Sequence, residues 1–136
     1  MADPVVGILV GSESDRARMK AALDELDARG IAWEFEVRSA HRDPDAVSEY
    51  ARAAAGRGIR VLICGAGLAA ALPGVVAAQT ELPVIGVPLR SSMSVLDGLD
   101  ALLSIVQMPP GVPVAAVGVD NAKNAAVLAA RILGSG

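Results

Sequence analysis

Short apolar runs rich in Val and Ile alternate along this chain with longer helical stretches, and this alternation constrains the fold more than any other feature. The predicted strands are Val5–Val10, Ile31–Arg38, Ile59–Cys64, Val84–Val87 and Val114–Val119. Because a helix rather than a tight hairpin turn follows each strand, neighbouring strands are expected to run parallel with right-handed crossovers. The sequence therefore predicts an α/β fold, doubly wound around a five-stranded parallel sheet.

The helical stretches complete this pattern. Helices are predicted over about Asp15–Arg29, Asp45–Ala55, Leu96–Gln107 and Asn121–Leu133, with a short Ala-rich helix that Pro73 and Gly74 start or interrupt. The chain contains no internal repeat, linker or low-complexity tract. We therefore expect residues 1–136 to form one domain.

Composition excludes several functional classes. Hydrophobic residues make up 53% of the chain, which excludes disorder, and the net charge of −3 without a Lys/Arg run argues against a nucleic-acid partner. The single cysteine, Cys64, lies in an apolar run, permits no intrachain disulfide and fits a reducing cytosol. The first residues have neither the basic nor the apolar region of a signal peptide, so we expect a cytoplasmic protein.

Charge is concentrated in the first half of the chain. Residues 1–60 contain 20 of the 27 charged side chains, whereas Val61–Thr80 contains none. This stretch is long enough to cross a membrane, but its apolar residues are largely Ala and it is interrupted by Gly65, Gly67, Pro73 and Gly74. We therefore expect no membrane span.

Burial between subunits is the remaining explanation for the uncharged half. The predicted helix Asn121–Leu133 carries only two charges, Lys123 and Arg131. A helix that is apolar nearly all round is normally buried all round. We therefore expect a homo-oligomer larger than a dimer.

In such folds, ligands bind outside the carboxyl ends of the strands. Every unusual segment of this chain lies at one of those ends: Gly11–Asp15, Ser39–Pro44, Gly65–Gly74, Pro88–Asp97 and Gly118–Asn124. The agreement of five loops predicts a ligand site at that edge of the sheet.

The segment that follows the second strand contains His41, the only histidine of the chain, and Arg42 beside it. Histidine is the side chain whose unperturbed pKa lies nearest neutrality, which makes His41 the candidate for moving protons. Arg42 adds a forked cation suited to a phosphate or carboxylate. The alternative is a solvated basic turn.

The loop after the first strand has the features of a phosphate cradle. Ser12 and Ser14 provide hydroxyls next to free backbone N–H groups at the start of a helix. The alternative is an ordinary serine N-cap. Asp15 could cap the helix or hold a sugar hydroxyl.

After the third strand, Gly65, Ala66 and Gly67 would let the backbone approach a flat ligand, or would simply form a tight strand-to-helix turn. They lack the spacing of a dinucleotide fingerprint, and the chain has no P-loop. One His and one Cys cannot assemble a zinc site, and no Gly-x-Ser-x-Gly elbow occurs. The residues therefore predict a cofactor-free site with one proton shuttle.

Six segments, in this order, resemble the N5-carboxyaminoimidazole ribonucleotide mutase family. They are Gly11–Asp15, Ser39–Asp45, Gly65–Gly67, Leu72–Gly74, Leu82–Pro88 and Leu103–Pro109. The resemblance covers nearly the whole chain. It implies a flavodoxin-like, three-layer fold, a homo-octamer without metal or organic cofactor, and transfer of a carboxyl group within an aminoimidazole ribonucleotide.

The resemblance also implies roles for residues. His41 resembles the general acid and base of the family, and Ser12, Asp15 and Arg42 resemble its nucleotide-binding residues. Further substrate-binding candidates come from the same motifs: Ser14, Ser39, Ala40, Gly65, Ala66, Gly67 and Leu72.

One departure from the family pattern leaves alternatives open. The family's usual Gly-Ala-Ala-His is here Leu68-Ala69-Ala70-Ala71. A related branch, aminoimidazole ribonucleotide carboxylase, uses free carbon dioxide and also departs in this loop. A mutase is the first hypothesis, a carboxylase is the second, and a non-catalytic nucleotide-binding protein is the third.

Overall fold

The computed structural model describes residues 2–135 and contains one parallel five-stranded sheet. In chain order the strands are β1 (Val6–Val10), β2 (Trp33–Val37), β3 (Val61–Gly67), β4 (Val84–Leu89) and β5 (Ala115–Ala116). Their order across the sheet is β2-β1-β3-β4-β5. The predicted doubly wound α/β fold is confirmed, and this strand order is the flavodoxin-like one.

Helices cover both faces of the sheet. They are α1 (Lys20–Ala28), α2 (Pro44–Ala54), α3 (Leu72–Ala77), α4 (Leu99–Val106) and α5 (Ala122–Gly134). Along β1, Val6, Ile8 and Val10 pack in one core cluster with α1 and α5, whereas Leu9 packs in the other with α2, α3 and α4. Successive strand side chains point to opposite faces, so each central strand contributes to both cores and must be apolar throughout.

The predicted helix Asp15–Arg29 starts later than expected. Two 3₁₀ turns, Glu13–Asp15 and Ala17–Met19, precede α1. An ion pair three residues apart, Arg16 Nε to Glu13 Oε1 at 2.5 Å, spans the first turn. A 3₁₀ turn places side chains i and i+3 directly above one another, so this pair favours the tighter winding.

Strand β3 runs three residues beyond its predicted end at Cys64, so the alternative in which Gly65–Gly67 form a tight strand-to-helix turn is wrong. These residues continue the pairing with β4 as far as Gly67 and Leu89. A Cβ at Gly65 would lie 2.7 Å from Met19 Sδ, and one at Gly67 would lie 2.9 Å from the Leu89 carbonyl oxygen. The two glycines are therefore explained by close packing around the strand.

Strand β5 is much shorter than the predicted Val114–Val119. Only Ala115 and Ala116 pair with β4. The following residues stay beside β4, because the Val117 N–H donates to the Gly86 carbonyl at 3.2 Å and the Asp120 N–H donates to the Pro88 carbonyl at 2.8 Å. Asp120 has a φ of +59°, which interrupts the regular pairing. As an edge strand, β5 has a partner on one side only, so less pairing holds it in the sheet.

The expectation that Asn121–Leu133 is buried all round concerns contact between subunits and stays a prediction. Helix α5 buries an alanine face, formed by Ala122, Ala125, Ala126 and Ala129, and exposes Lys123, Asn124 and Arg131. Small side chains let it pack closely in the core shared with α1. Six large exposed apolar side chains lie on and before α4, at Met93, Val95, Leu96, Leu99, Leu103 and Val106, and Val37 and Leu68 are exposed elsewhere.

The start of α4 also differs from the predicted Leu96–Gln107. A kinked 3₁₀ turn, Leu96–Gly98, precedes the helix, with φ of +50° at Leu96 and +55° at Asp97. In α3, Pro73 lies in the first turn and therefore starts that helix. Among residues 2–135, none of the helices has the length and apolar character needed to cross a membrane.

Candidate active site

The loops after β1, β2 and β3 meet at a pocket of about 120 Å³. Its lining residues are Gly11, Asp15, Ser39, Ala40, His41, Ala66, Gly67, Ala69, Ala70, Ala71 and Leu72. The pocket lies between β1 and β3, where successive connections leave the sheet in opposite directions. This is the topological switch point at which open α/β sheets bind ligands.

The loops after β4 and β5 do not line this pocket, although the sequence predicted that all five loops would contribute. They contact each other instead, because the Arg90 N–H donates to Asp120 Oδ1 at 2.8 Å and Arg90 Nε lies 3.5 Å from Asp120 Oδ2. Both strands lie on the far side of β3 from the switch point. The strand order therefore separates them from His41.

Backbone hydrogen bonds on either side of His41 hold its loop in place. The Ser39 hydroxyl accepts from the Arg42 N–H at 3.2 Å, and the Ser39 carbonyl accepts from the Asp43 N–H at 2.8 Å. Asp43 then caps α2 by accepting from the Ala46 N–H at 3.2 Å. The His41 side chain is exposed at the pocket, and within residues 2–135 its imidazole makes no hydrogen bond.

Arg42, Ser12 and Ser14 do not line the pocket, and neither does Gly65. Ser12 acts as an N-cap, with its hydroxyl accepting from the Ser14 N–H at 3.3 Å and lying 2.9 Å from the Ser14 hydroxyl. Arg42 is exposed and forms no ion pair among residues 2–135. A role for these side chains in binding a phosphate stays a prediction, and any such contact would lie outside the pocket.

Asp15 is the acidic side chain of the pocket. Desolvation raises the pKa of its carboxyl above the ordinary value, while the positive charge of Arg18 partly offsets that rise. A carboxylate that has lost water without gaining a full charge partner is free to accept a hydrogen bond from a ligand. This arrangement suits a hydroxyl donor.

A wall of three alanines, Ala69–Ala71, forms one side of the pocket and was not among the predicted site residues. Ala70 is buried in the core, and the Ala71 N–H donates to the Ala69 carbonyl at 2.7 Å in a tight turn. Leu68, which begins the loop, has a φ of +54°. The only sequence signal for this wall is a run of small residues directly after a buried strand.

The pocket combines a few polar side chains with an apolar surface. Asp15, Ser39 and His41 are its polar side chains, and the remaining lining residues are glycines, alanines and Leu72. No group of three His, Cys, Asp or Glu in the described part of the chain could hold a metal ion. The arrangement can transfer a proton next to a wall of alanine side chains.

Residues 5–136 match the model of the AIR carboxylase family. The chain is 58% identical over 131 residues to an N5-carboxyaminoimidazole ribonucleotide mutase of Pyrococcus horikoshii, covering 96% of this chain and 73% of the relative. It is 59% identical over 131 residues to one of Thermotoga maritima, covering 96% and 75%. A phosphoribosylaminoimidazole carboxylase of Schizosaccharomyces pombe is 58% identical over 130 residues, which cover 96% of this chain and 23% of the relative.

The structural comparison agrees. The crystal structure of Treponema denticola PurE superposes with a TM-score of 0.83 at 34% sequence identity, covering 96% of this chain and 80% of that one.

Proposed function

We propose that this chain, which belongs to the AIR carboxylase family, is an N5-carboxyaminoimidazole ribonucleotide mutase of purine biosynthesis. Relatives of that name are 58% and 59% identical to it over 96% of its length. The observation that carries the proposal is the position of His41, the only histidine of the chain, beside an apolar wall at the switch point of the sheet.

In the first proposed step, the His41 imidazolium donates a proton to the exocyclic nitrogen that carries the carboxyl group. The nitrogen–carbon bond breaks, its electron pair stays on the nitrogen, and carbon dioxide is released into the pocket. General acid catalysis of this kind contributes about 10²–10⁴-fold to a rate. His41 is left neutral.

In the second step, the electron-rich ring carbon of the resulting aminoimidazole attacks the carbon dioxide and forms a carbon–carbon bond. The ring carbon then carries both a hydrogen and a carboxylate. Neutral His41 removes that hydrogen as a proton, which restores the aromatic ring and returns the imidazolium. One histidine therefore serves both steps, and the protons balance.

The alanine wall suits this chemistry because carbon dioxide is small and has no net dipole. Ala69–Ala71 offer it apolar surface and no side-chain hydrogen bonds. Holding the gas beside its acceptor makes recapture an effectively unimolecular step, which is the main advantage of proximity.

The rest of the nucleotide is expected to extend beyond the pocket. A volume of about 120 Å³ suits the heterocycle and its carboxyl group more than a whole ribonucleotide. Asp15 would accept a hydrogen bond from a ribose hydroxyl. Ser12, Ser14 and Arg42, which lie outside the pocket on the adjoining loops, would then meet the phosphate.

An aminoimidazole ribonucleotide carboxylase that uses free carbon dioxide is the second candidate. Two relatives named phosphoribosylaminoimidazole carboxylase, from Schizosaccharomyces pombe and Saccharomyces cerevisiae, are 58% and 55% identical to this chain. Ala71 also leaves the wall without a side-chain donor for a carbamate carboxylate. Most of the chain follows the mutase pattern, so the carbamate is expected to be the preferred substrate.

The test compares two substrate mixtures at matched nucleotide concentration. Purified protein receives either the carbamate, or aminoimidazole ribonucleotide with bicarbonate and carbonic anhydrase, and the ring-carboxylated product is followed. Faster turnover of the carbamate is expected. Faster turnover of the second mixture would identify a carboxylase, and no product from either would favour a non-catalytic nucleotide-binding protein.

A further inference from the structure

Arg38 lies directly after β2 and directly before the His41 loop, which comprises residues 39–43. The Arg38 N–H donates to the Val10 carbonyl at 2.8 Å, at the end of β1. Among residues 2–135, the backbone of the His41 loop makes no hydrogen bond to a strand. Arg38 is therefore the last residue through which the sheet holds this loop.

The Arg38 side chain reaches the other end of the His41 loop. Its Nη1 donates to the Ala46 carbonyl at 2.9 Å, in the first turn of α2. Ala46 is also the residue whose N–H donates to the Asp43 carboxylate that caps this helix. Arg38 thus binds β1 through its backbone and the start of α2 through its side chain. The two ends of the His41 loop are linked by a contact that lies outside the loop.

Glu36 and Tyr50 hold the Arg38 guanidinium in place for this bond. Arg38 Nη2 and Nε lie 2.9 and 3.2 Å from Glu36 Oε1. The Arg38 Cζ lies over the Tyr50 ring, 5.3 Å from its centroid. A planar guanidinium that already has these partners loses little further freedom when it binds the Ala46 carbonyl. The bond is also charge-assisted, which makes it stronger than one between neutral groups.

Given the proposed mutase reaction, we propose that Arg38 is a positioning residue for His41. Arg38 does not line the pocket, so its effect on the reaction passes through the backbone of the His41 loop. The imidazole makes no hydrogen bond among residues 2–135, so its place beside a substrate depends on the loop that carries it. A displacement of about 1 Å at a reacting group costs about 10²-fold in rate. A contact that fixes both ends of the loop therefore affects proton transfer.

Arg57 provides a matched control, because it has the same kinds of contact without the link to the His41 loop. Its guanidinium donates to Glu34, another carboxylate of β2, and its Cζ lies 5.5 Å from the Tyr50 ring centroid. Arg57 lies in the 3₁₀ turn after α2, at the end of the helix remote from the loop. Arg57→Met and Arg38→Met each remove one guanidinium from the same aromatic ring, but only Arg38→Met frees the Ala46 carbonyl.

The experiment uses the single histidine of the chain. Tag-free protein labelled with ¹³C in the histidine ring gives one Cε1–H signal in the NMR spectrum, which reports the surroundings of the His41 imidazole. This signal, the melting temperature, and kcat and KM for the carbamate are measured for the wild type, Arg38→Met, Arg38→Lys and Arg57→Met.

We expect Arg38→Met to displace or broaden the His41 signal and to lower kcat about tenfold, with KM within about twofold of the wild type, because proton transfer is lost rather than binding. Arg57→Met should lower the melting temperature by a similar amount but leave the His41 signal and kcat unchanged. Arg38→Lys keeps a donor for the Ala46 carbonyl but loses the fork on Glu36, and it should keep the wild-type His41 signal.

An unchanged His41 signal in Arg38→Met, or equal kcat in Arg38→Met and Arg57→Met, would overturn the proposal. A displaced signal in Arg38→Lys, whether or not Arg38→Met folds, would overturn it too, because the loop would then depend on Glu36 rather than on the Ala46 bond. Failure of the wild type to convert the carbamate would instead contradict the proposed mutase function. The NMR comparison needs no turnover, so the two failures are distinguishable.

Discussion

His41 shows how a single side chain can be predicted when a chain contains only one of its kind. Its residue type and its place after β2 pointed to proton transfer, and the structure places it on a pocket lined by three loops. The hydrogen bonds of Ser39 and Asp43 hold the loop, while the imidazole stays exposed to a ligand. The hydrogen bonds therefore fix the loop backbone and leave the imidazole available to a ligand.

Replacing His41 by Asn is expected to abolish nearly all turnover of the carbamate. Asn has a similar size but no titratable proton, so the loss should lie near the upper end of the range of about 10²–10⁴-fold. Circular dichroism and sedimentation should match the wild type, because the His41 ring is exposed and makes no hydrogen bond among residues 2–135. A variant that keeps more than about a tenth of the rate would show that His41 is not the shuttle.

Asp15 is expected to lower the stability of the folded protein, although it aids substrate binding. Desolvation raises the pKa of its carboxyl, so the ionised form is penalised in the folded protein. This penalty is present above the ordinary value of 3.8 and disappears at lower pH, where the carboxyl is protonated in both the folded and the unfolded state. Asp15→Asn should therefore raise the melting temperature at pH 7, and the rise should vanish towards pH about 4.

The same variant should raise the KM for the carbamate about tenfold, because a charged acceptor for the ribose hydroxyl is lost. Asp24→Asn, on the exposed face of α1 and outside the pocket, is the control and should leave KM unchanged. A lower melting temperature for Asp15→Asn at pH 7 would contradict the desolvation argument.

At the scale of elements, Glu34 joins strand β2 to helix α2 and the turn that follows it. Its carboxylate accepts hydrogen bonds from the Tyr50 hydroxyl and the Arg57 guanidinium. The guanidinium bond lowers the pKa of Glu34 most, and Tyr50 adds to that effect against desolvation. This cluster does not line the pocket that contains His41.

Glu34→Gln is expected to cost about 1 kcal/mol at pH 7, since the pair includes the half-exposed Arg57 and is screened by solvent. Because the folded pKa is lowered, the contribution is complete above the ordinary value of 4.5 and is lost as the pH falls through the lower folded value. Urea unfolding of both proteins across this range measures the difference.

Glu25→Gln is a matched control for Glu34→Gln. Glu25 is similarly exposed but pairs with Arg29, the C-cap of α1, at 2.7 Å. Such a pair contributes about 0.3–0.5 kcal/mol. If both variants lost the same stability, the link between β2 and α2 would add nothing beyond a surface ion pair.

At the scale of the whole molecule, the exposed apolar surface lies on one part of the nearly uncharged stretch 61–122 from which the sequence predicted subunit contact. Helix α5 covers its alanines within the chain, whereas Met93 and Leu96 are each 74% exposed and Leu103 on α4 is 49% exposed. Contiguous exposed apolar side chains of this size mark contact surfaces. The prediction of an assembly larger than a dimer therefore now rests on α4 and the loop before it.

Light scattering at micromolar concentration is expected to report this assembly, and Leu103→Glu should shift it towards smaller species. Asn124→Glu adds the same charge on the exposed face of α5 and should leave the mass unchanged. A stable wild-type monomer would contradict the prediction. So would equal dissociation of both variants.

The sequence alone determined the fold class, because parallel strands joined by helices produce an alternation of apolar runs and helical stretches. This alternation can be recognised without knowing how the elements pack. It also placed His41, Asp15 and Ser39 on loops at the edge of the sheet where the pocket lies. Only the tertiary structure decided which loops share a pocket. The strand order places β2, β1 and β3 side by side, and β4 and β5 lie on the far side of β3 from the pocket. It also revealed the reason for Gly65 and Gly67, whose neighbours Met19 and Leu89 are distant in sequence. The left-handed backbone of Leu68 is visible only in the structure, because no residue pattern encodes a backbone angle.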